Sequence, residues 1–264
     1  MESKKVIIDT FNPYESRFPD RKLITRDTLL LIKYLRVEGY EIIIEPRNDL
    51  PVELLYKKGV MEFFADPINV TLIGIPIAIL TNIISNRIQK LLGKKKAINK
   101  SNINIRIDNS THIYNYLGEH QDKNNRNHVE IKRNKLKDGF ERCFEIRSPY
   151  EEYPVPIFLE HRPKIVGWCS LREDDKGLKS EGIIIDKTAK RRLSQNRLNG
   201  ASVTGIATKT ECSICKSNFV YCEHIAGTIY NEEKCFNRII ETDFVETSIV
   251  KEPINPECIL GWQK

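Results

Sequence analysis

Cysteine is missing from the first half of this chain: all seven fall late, at Cys143, Cys169, Cys212, Cys215, Cys222, Cys235 and Cys258. An odd count clustered in this way argues against a disulfide framework and for metal ligands or free thiols. A strong excess of either charge is also lacking. The chain carries 42 basic and 36 acidic residues, a net charge of +6 that permits an acidic partner without demanding one. No internal repeat is visible, and with 40% hydrophobic and 30% charged residues the composition excludes disorder, a collagen-like repeat and an isolated coiled coil. Neither G-x-G-x-x-G nor G-x-x-x-x-G-K-[ST] occurs, so a nucleotide-binding reading has no local support. No apolar run long enough for a signal peptide precedes Asp9, and cytoplasmic residence is the expectation.

What is present divides into two halves. At 264 residues, and roughly 150 per domain, the length suits two ordinary domains. In the first, Val6-Ile7-Ile8 and Glu41 to Glu45 read as strands. Thr25 caps a helix through Leu29, Ile32 and Leu35 that stops at Gly39, and Pro51 opens a second helical stretch. Ile103, Ile105 and Ile107 alternate with polar residues as a further strand. This βαβ-like order predicts a small α/β domain over 1–118. Between Asp66 and Arg87 no residue is charged, but Asn69, Thr71, Gly74, Pro76, Thr81, Asn82 and Ser85 interrupt the run from Ile68 to Ile84. A spanning helix wants about 20 predominantly apolar residues, so a buried element is preferred there to a membrane contact.

Residues 119–138 are polar, with few apolar anchors, and read as a linker. Short apolar runs then recur: Val155 to Leu159, Ile165 to Trp168, Gly182 to Ile185, Ser202 to Ala207, Phe244 to Val250 and Ile259 to Trp262. One helix interrupts them, capped by Asp186, with Ala189 and Leu193 on one face and Asn199-Gly200 as its stop signal. The pattern predicts a β-rich barrel or sandwich over 139–264, and an α+β chain as a whole.

Cys212 and Cys215 form a C-x-x-C pair that can turn both sulfurs towards one ion. Cys222 and His224, two apart, fall on one face of an extended strand. Together they make a Cys₃His set, the closed tetrahedron of a structural zinc site. Cys235 is a competing fourth ligand, and a redox pair or unligated cysteines remain alternatives.

Three segments flank this metal loop. They are Val155-Pro156-Ile157-Phe158-Leu159-Glu160-His161-Arg162 with Gly167-Trp168, Gly200-Ala201-Ser202-Val203-Thr204-Gly205, and Phe244-Val245-Glu246-Thr247-Ser248-Ile249-Val250 with Pro253. In this order, roughly from Tyr153 to Leu260, they resemble the prohead (capsid maturation) serine proteases of tailed phages, related in fold to the herpesvirus assemblins. The resemblance does not extend to the first half. It implies an assemblin-like barrel, with Ser202 as nucleophile, His161 as general base and Glu246 as the carboxylate that orients the imidazole. Backbone N–H groups near Gly205 or another turn would form the oxyanion hole. It also implies a protein substrate, such as a capsid or scaffold protein; a homo-oligomer is a separate expectation about partners.

Each residue also has a plainer reading. His161 suits a surface loop, and Ser202 suits a tight strand. Glu246 shares a strand face with Phe244, Ser248 and Val250, where a buried carboxylate needs a partner. Ser248 stays open as a substitute nucleophile. The competing function is a non-catalytic, zinc-stabilised assembly or membrane-associated module. Nucleic-acid binding through Lys94 to Lys96 and through Lys187, Lys190, Arg191, Arg192 and Arg197 ranks below both, because such runs without interleaved aromatics form solvated faces.

Overall fold

The computed structural model describes residues 5–46, 49–57, 68–73, 103–108, 113–115, 124–175, 177–251, 253, 258, 260 and 261. In chain order the elements are β1 (Lys5–Asp9), β2 (Lys22–Thr25), α1 (Arg26–Val37), β3 (Glu41–Glu45), β4 (Val52–Lys57), β5 (Ile68–Ile73), β6 (Ile103–Asp108) and β7 (Ile113–Asn115). There follow α2 (Asn124–Glu145), β8 (Val155–Leu159), β9 (Arg162–Asp174), β10 (Gly177–Ile184), α3 (Lys187–Ser194), β11 (Gly200–Cys212), β12 (Ile229–Tyr230), β13 (Glu233–Lys234) and β14 (Asn237–Val250). The protein is mixed α/β and rich in strand.

Several elements sit where the sequence predicts them. Thr25 Oγ1 accepts from the Thr28 N–H at 3.2 Å and caps α1, which turns Leu29, Ile32 and Leu35 into the core. Gly39, at φ +83°, takes the left-handed conformation after the helix end. Asp186 caps α3 by accepting from the Ala189 N–H at 2.7 Å, and Ala189 and Leu193 are buried.

Two sheets organise these pieces. A five-stranded sheet has the order β3-β1-β5-β6-β7, and a seven-stranded sheet has the order β10-β9-β8-β14-β11-β4-β2. The larger sheet is open, with β10 and β2 at opposite edges, so the barrel expected for 139–264 is not closed among the described residues. Two of its strands come from the first half. β4 pairs antiparallel with β11 and parallel with β2, so a boundary at 119–138 does not separate the two sheets.

Two expectations are corrected here. The stretch after Pro51 is strand β4 rather than a helix. Val52, Glu53, Leu54 and Leu55 are all buried, which a strand covered on both faces achieves and a one-sided helix does not. Within the expected linker, residues 124–138 belong to α2. Leu136, Phe140, Cys143 and Phe144 recur at helical spacing across the expected linker end, and the buried ones dock on Phe158, Ile206 and Val245. The Ile68–Ile84 stretch begins with β5, and the rest of it lies outside the described residues. No described helix is long and apolar enough to cross a membrane.

The two helices of the second half cover opposite faces of the large sheet. α2 packs on the face carrying Phe158 and Ile206, whereas α3 packs on the face carrying Ile157 and Ile249. Ser202, Thr204 and Ile206 alternate onto the α2 face. The basic residues of α3 therefore lie behind the sheet relative to Ser202, and Lys187, Lys190, Arg191 and Arg197 are exposed. Lys94 to Lys96 lie outside the described residues.

Candidate active site and metal centre

β8 and β9 are joined by a two-residue turn, Glu160-His161, with φ of 52° and 55°. Left-handed backbone at two successive non-glycine residues is uncommon and needs outside support. Glu160 donates its N–H to the Ile249 carbonyl at 3.0 Å, and the His161 N–H donates to Ser248 Oγ at 3.0 Å. Arg192 of α3 reaches Glu160 at 3.3 Å from the far side. The turn is thus pinned to β14 by backbone and side chain together, and it folds the imidazole over the start of β11.

Register does the rest. Ser202 lies opposite Ser248, and Thr204 opposite Glu246, so four polar side chains share one sheet face. His161 Nε2 lies 3.0 Å from Ser202 Oγ, and Nδ1 lies 2.6 Å from Glu246 Oε1. Ser248 is almost fully buried, and Thr204 and Glu246 are fully so. The second Glu246 oxygen accepts from Ser248 Oγ at 2.8 Å, and Oε1 also accepts from Thr204 Oγ1. A carboxylate that accepts from every neighbour sets the tautomer: Nδ1 carries the proton and donates, leaving the Nε2 lone pair facing the Ser202 hydroxyl.

The three residues that the sequence singled out therefore converge in a hydroxyl–imidazole–carboxylate chain. Ser248 does not face Nε2. It bridges the carboxylate and the turn backbone, a place for it that the sequence did not suggest. Thr204 was missed altogether, although its position two residues after Ser202 on a strand was a signal that both share a face. Gly205 is a packing position, paired with Tyr56 and Phe244, where a Cβ would lie 2.5 Å from Thr242 Cγ2.

The metal candidates also assemble. Ligand atoms of Cys212, Cys215, Cys222 and His224 all lie within 4.8 Å of one another, so the cluster can hold a metal ion. Cys212 ends β11 and begins a tight turn, in which the Cys212 N–H donates to the Ser217 carbonyl at 2.8 Å and Lys216 adopts φ 61°. The His224 ring stands edge-on to Tyr230, and its Nδ1 is buried without a hydrogen-bond partner, as suits a nitrogen whose lone pair is reserved for a metal. Hydrogen bonds from Ser217 draw the exposed Cys215 thiol down to about 6, towards the thiolate that metals require. Burial pushes the Cys235 thiol up to about 11. Cys235 Sγ lies 3.9 Å from Cys212 Sγ, beside the four-ligand cluster rather than within it.

A cation from the first half lies against this loop. Lys33 of α1, only 1% exposed, donates to the His224 carbonyl at 2.6 Å, the Cys222 carbonyl at 3.1 Å and Cys222 Sγ at 3.2 Å. Its Nζ sits 3.6 Å from the Phe219 ring centroid. Burial lowers the Lys33 pKa, and the Cys222 sulfur opposes that shift. The sequence carried a signal here too, since Lys33 is four residues after Leu29 and falls on the apolar side of the helix.

No protein-family model matches the chain, and comparison with curated proteins and with solved structures finds no significant match.

Proposed function

We propose that the chain is a serine endopeptidase stabilised by a structural zinc ion. The observation that carries this reading is the unbroken chain Ser202 Oγ, His161 Nε2, His161 Nδ1, Glu246 Oε1, with links of 3.0 Å and 2.6 Å. A serine hydroxyl is a weak nucleophile until an imidazole accepts its proton. As Ser202 Oγ bonds to the carbonyl carbon of a peptide, Nε2 takes the hydroxyl proton, and the imidazolium is stabilised by Glu246. That proton passes to the amine nitrogen as the C–N bond breaks, leaving an acyl ester on Ser202. Water, deprotonated by the same Nε2, then releases the acid product and regenerates the hydroxyl. Thr204 and Ser248 keep the buried carboxylate hydrogen-bonded throughout.

Zinc suits the Cys₃His donors, which as a closed set leave no position for a reacting water, so its contribution is to the fold. Resemblance to the prohead proteases and assemblins points to capsid or scaffold protein as the substrate, and to a barrel-like arrangement of the second half. The experiment is labelling with a fluorophosphonate probe. Wild type and Ser248→Ala label at Ser202, and Ser202→Ala does not. Undiminished labelling of Ser202→Ala removes Ser202 as the nucleophile.

One observation favours a second reading, a non-catalytic zinc-stabilised assembly or membrane-associated module. Ser202 is only 3% exposed, as suits a serine packed within the sheet rather than one open to a substrate. A folded, zinc-loaded protein that is silent to the probe and floats with membranes favours this module.

A further inference from the structure

We infer that Lys33 supplies the counter-charge of the metal centre, so that metal binding in the second half and docking of α1 from the first half are one coupled event. It rests on the Cys₃His zinc reading and is independent of the peptidase reading. A divalent ion held by three thiolates and a neutral imidazole carries a net charge of −1. Cys212 is wholly buried, and a buried charge is costly unless paired. Lys33 is placed to pair it. Its ammonium donates to one ligand sulfur and to the backbone carbonyls of two ligand residues, using all three protons. Among the described residues no carboxylate accepts from Lys33, so the thiolate cluster is its anionic partner.

The neighbourhood makes the coupling structural as well as electrostatic. Arg36, one turn further along α1, donates to the Val220 carbonyl at 3.2 Å, and the Val52 N–H of β4 donates to the Tyr221 hydroxyl at 2.9 Å. Phe219, Val220, Cys212 and Cys235 share one core cluster with Val6, Leu29, Ile32 and Leu54. The metal loop thus grips α1 and β4, and Lys33 is the contact that senses whether the ion's fixed charge is present.

Lys33→Met in the full-length chain tests this. Chelator competition with Zn²⁺ is expected to show about a 10–100-fold loss of affinity, the range for groups that support metal ligands. The Co²⁺-substituted protein should keep the wild-type tetrahedral spectrum, because the ligands are intact. The thermal midpoint should fall more in the metal-loaded variant than in the stripped one, whereas a lysine that only ties down carbonyls costs both states equally. Lys190→Met, which removes an exposed lysine of α3 that makes no contact with the metal loop among the described residues, is the control and is expected to leave metal affinity unchanged.

In wild type, amine acetylation followed by peptide mapping should spare Lys33 when zinc is bound and modify it after chelation. That measurement decides the matter even where Lys33→Met does not fold. Wild-type affinity in Lys33→Met, equal loss of stability in both states, or equal acetylation with and without zinc each overturns the inference. A wild type that binds neither Zn²⁺ nor Co²⁺ overturns the metal reading and the inference together, without touching the assignment of Ser202.

Discussion

Glu246 accepts three side-chain hydrogen bonds with no access to water, from His161, Thr204 and Ser248. Such a carboxylate stays in place and holds one imidazole tautomer. Glu246→Gln is expected to slow fluorophosphonate labelling by up to about 10⁴-fold, the scale on which a triad fails when its tautomer is wrong. Thr204→Val or Ser248→Ala leaves one carboxylate oxygen short of a donor. That costs about 1–3 kcal/mol, so each should slow labelling by about ten- to a hundredfold while the labelled residue remains Ser202. A mass map placing the label on Ser248 refutes that assignment. At this scale the flanking segments pointed to the three candidate residues. They did not reveal Thr204 as a partner or the bridging place of Ser248, because those depend on which residues the β11–β14 register sets opposite each other.

Elements act here through their ends and turns. Asp186 caps α3 and pairs with Lys164 at 3.0 Å, and the Ala189 N–H, with Lys164 after it, holds its carboxyl below the ordinary value. A depressed folded-state pKa contributes stability above the unfolded value near 3.8 that is lost as pH falls through the lower folded value. Asp186→Asn keeps a capping oxygen but loses the charge. Its deficit in urea midpoint should be full at about pH 6 and vanish in strong acid. In the β9–β10 hairpin, a Cβ on Gly182 would sit 2.2 Å from the Trp168 carbonyl oxygen, against rigid backbone. Gly182→Ala is therefore expected to cost about 1–3 kcal/mol, read from the denaturant midpoint.

Strands β1, β3 and β6, both helix caps and the apolar runs of the second half were legible from periodicity and capping residues. β4 was not, because a strand buried on both faces has no alternation to betray it. The polar start of α2 was not legible either, because its docking surface is built from β8, β11 and β14.

For the whole molecule, the large sheet joins β2 and β4 from one half to strands from the other, and the metal loop packs across that seam. Stripping the metal with a chelator is expected to lower the thermal midpoint and to speed hydrogen exchange in α1 and β4 as well as in the loop. Exchange confined to residues 212–235 would show that the seam holds without the ion. By itself the sequence determined the late clustering of cysteines, a Cys₃His set at metal-ligand spacing, and the order of a histidine, a serine and a glutamate on strand-like segments. These are properties of local spacing and residue chemistry. Only the tertiary structure decided that the three meet within hydrogen-bond distance, that Glu246 is buried from bulk solvent, that the two halves share a sheet, and that Lys33 lies against the candidate metal ligands. Those facts depend on strand register and on which faces are buried together, and both are settled by contacts between residues far apart in the chain.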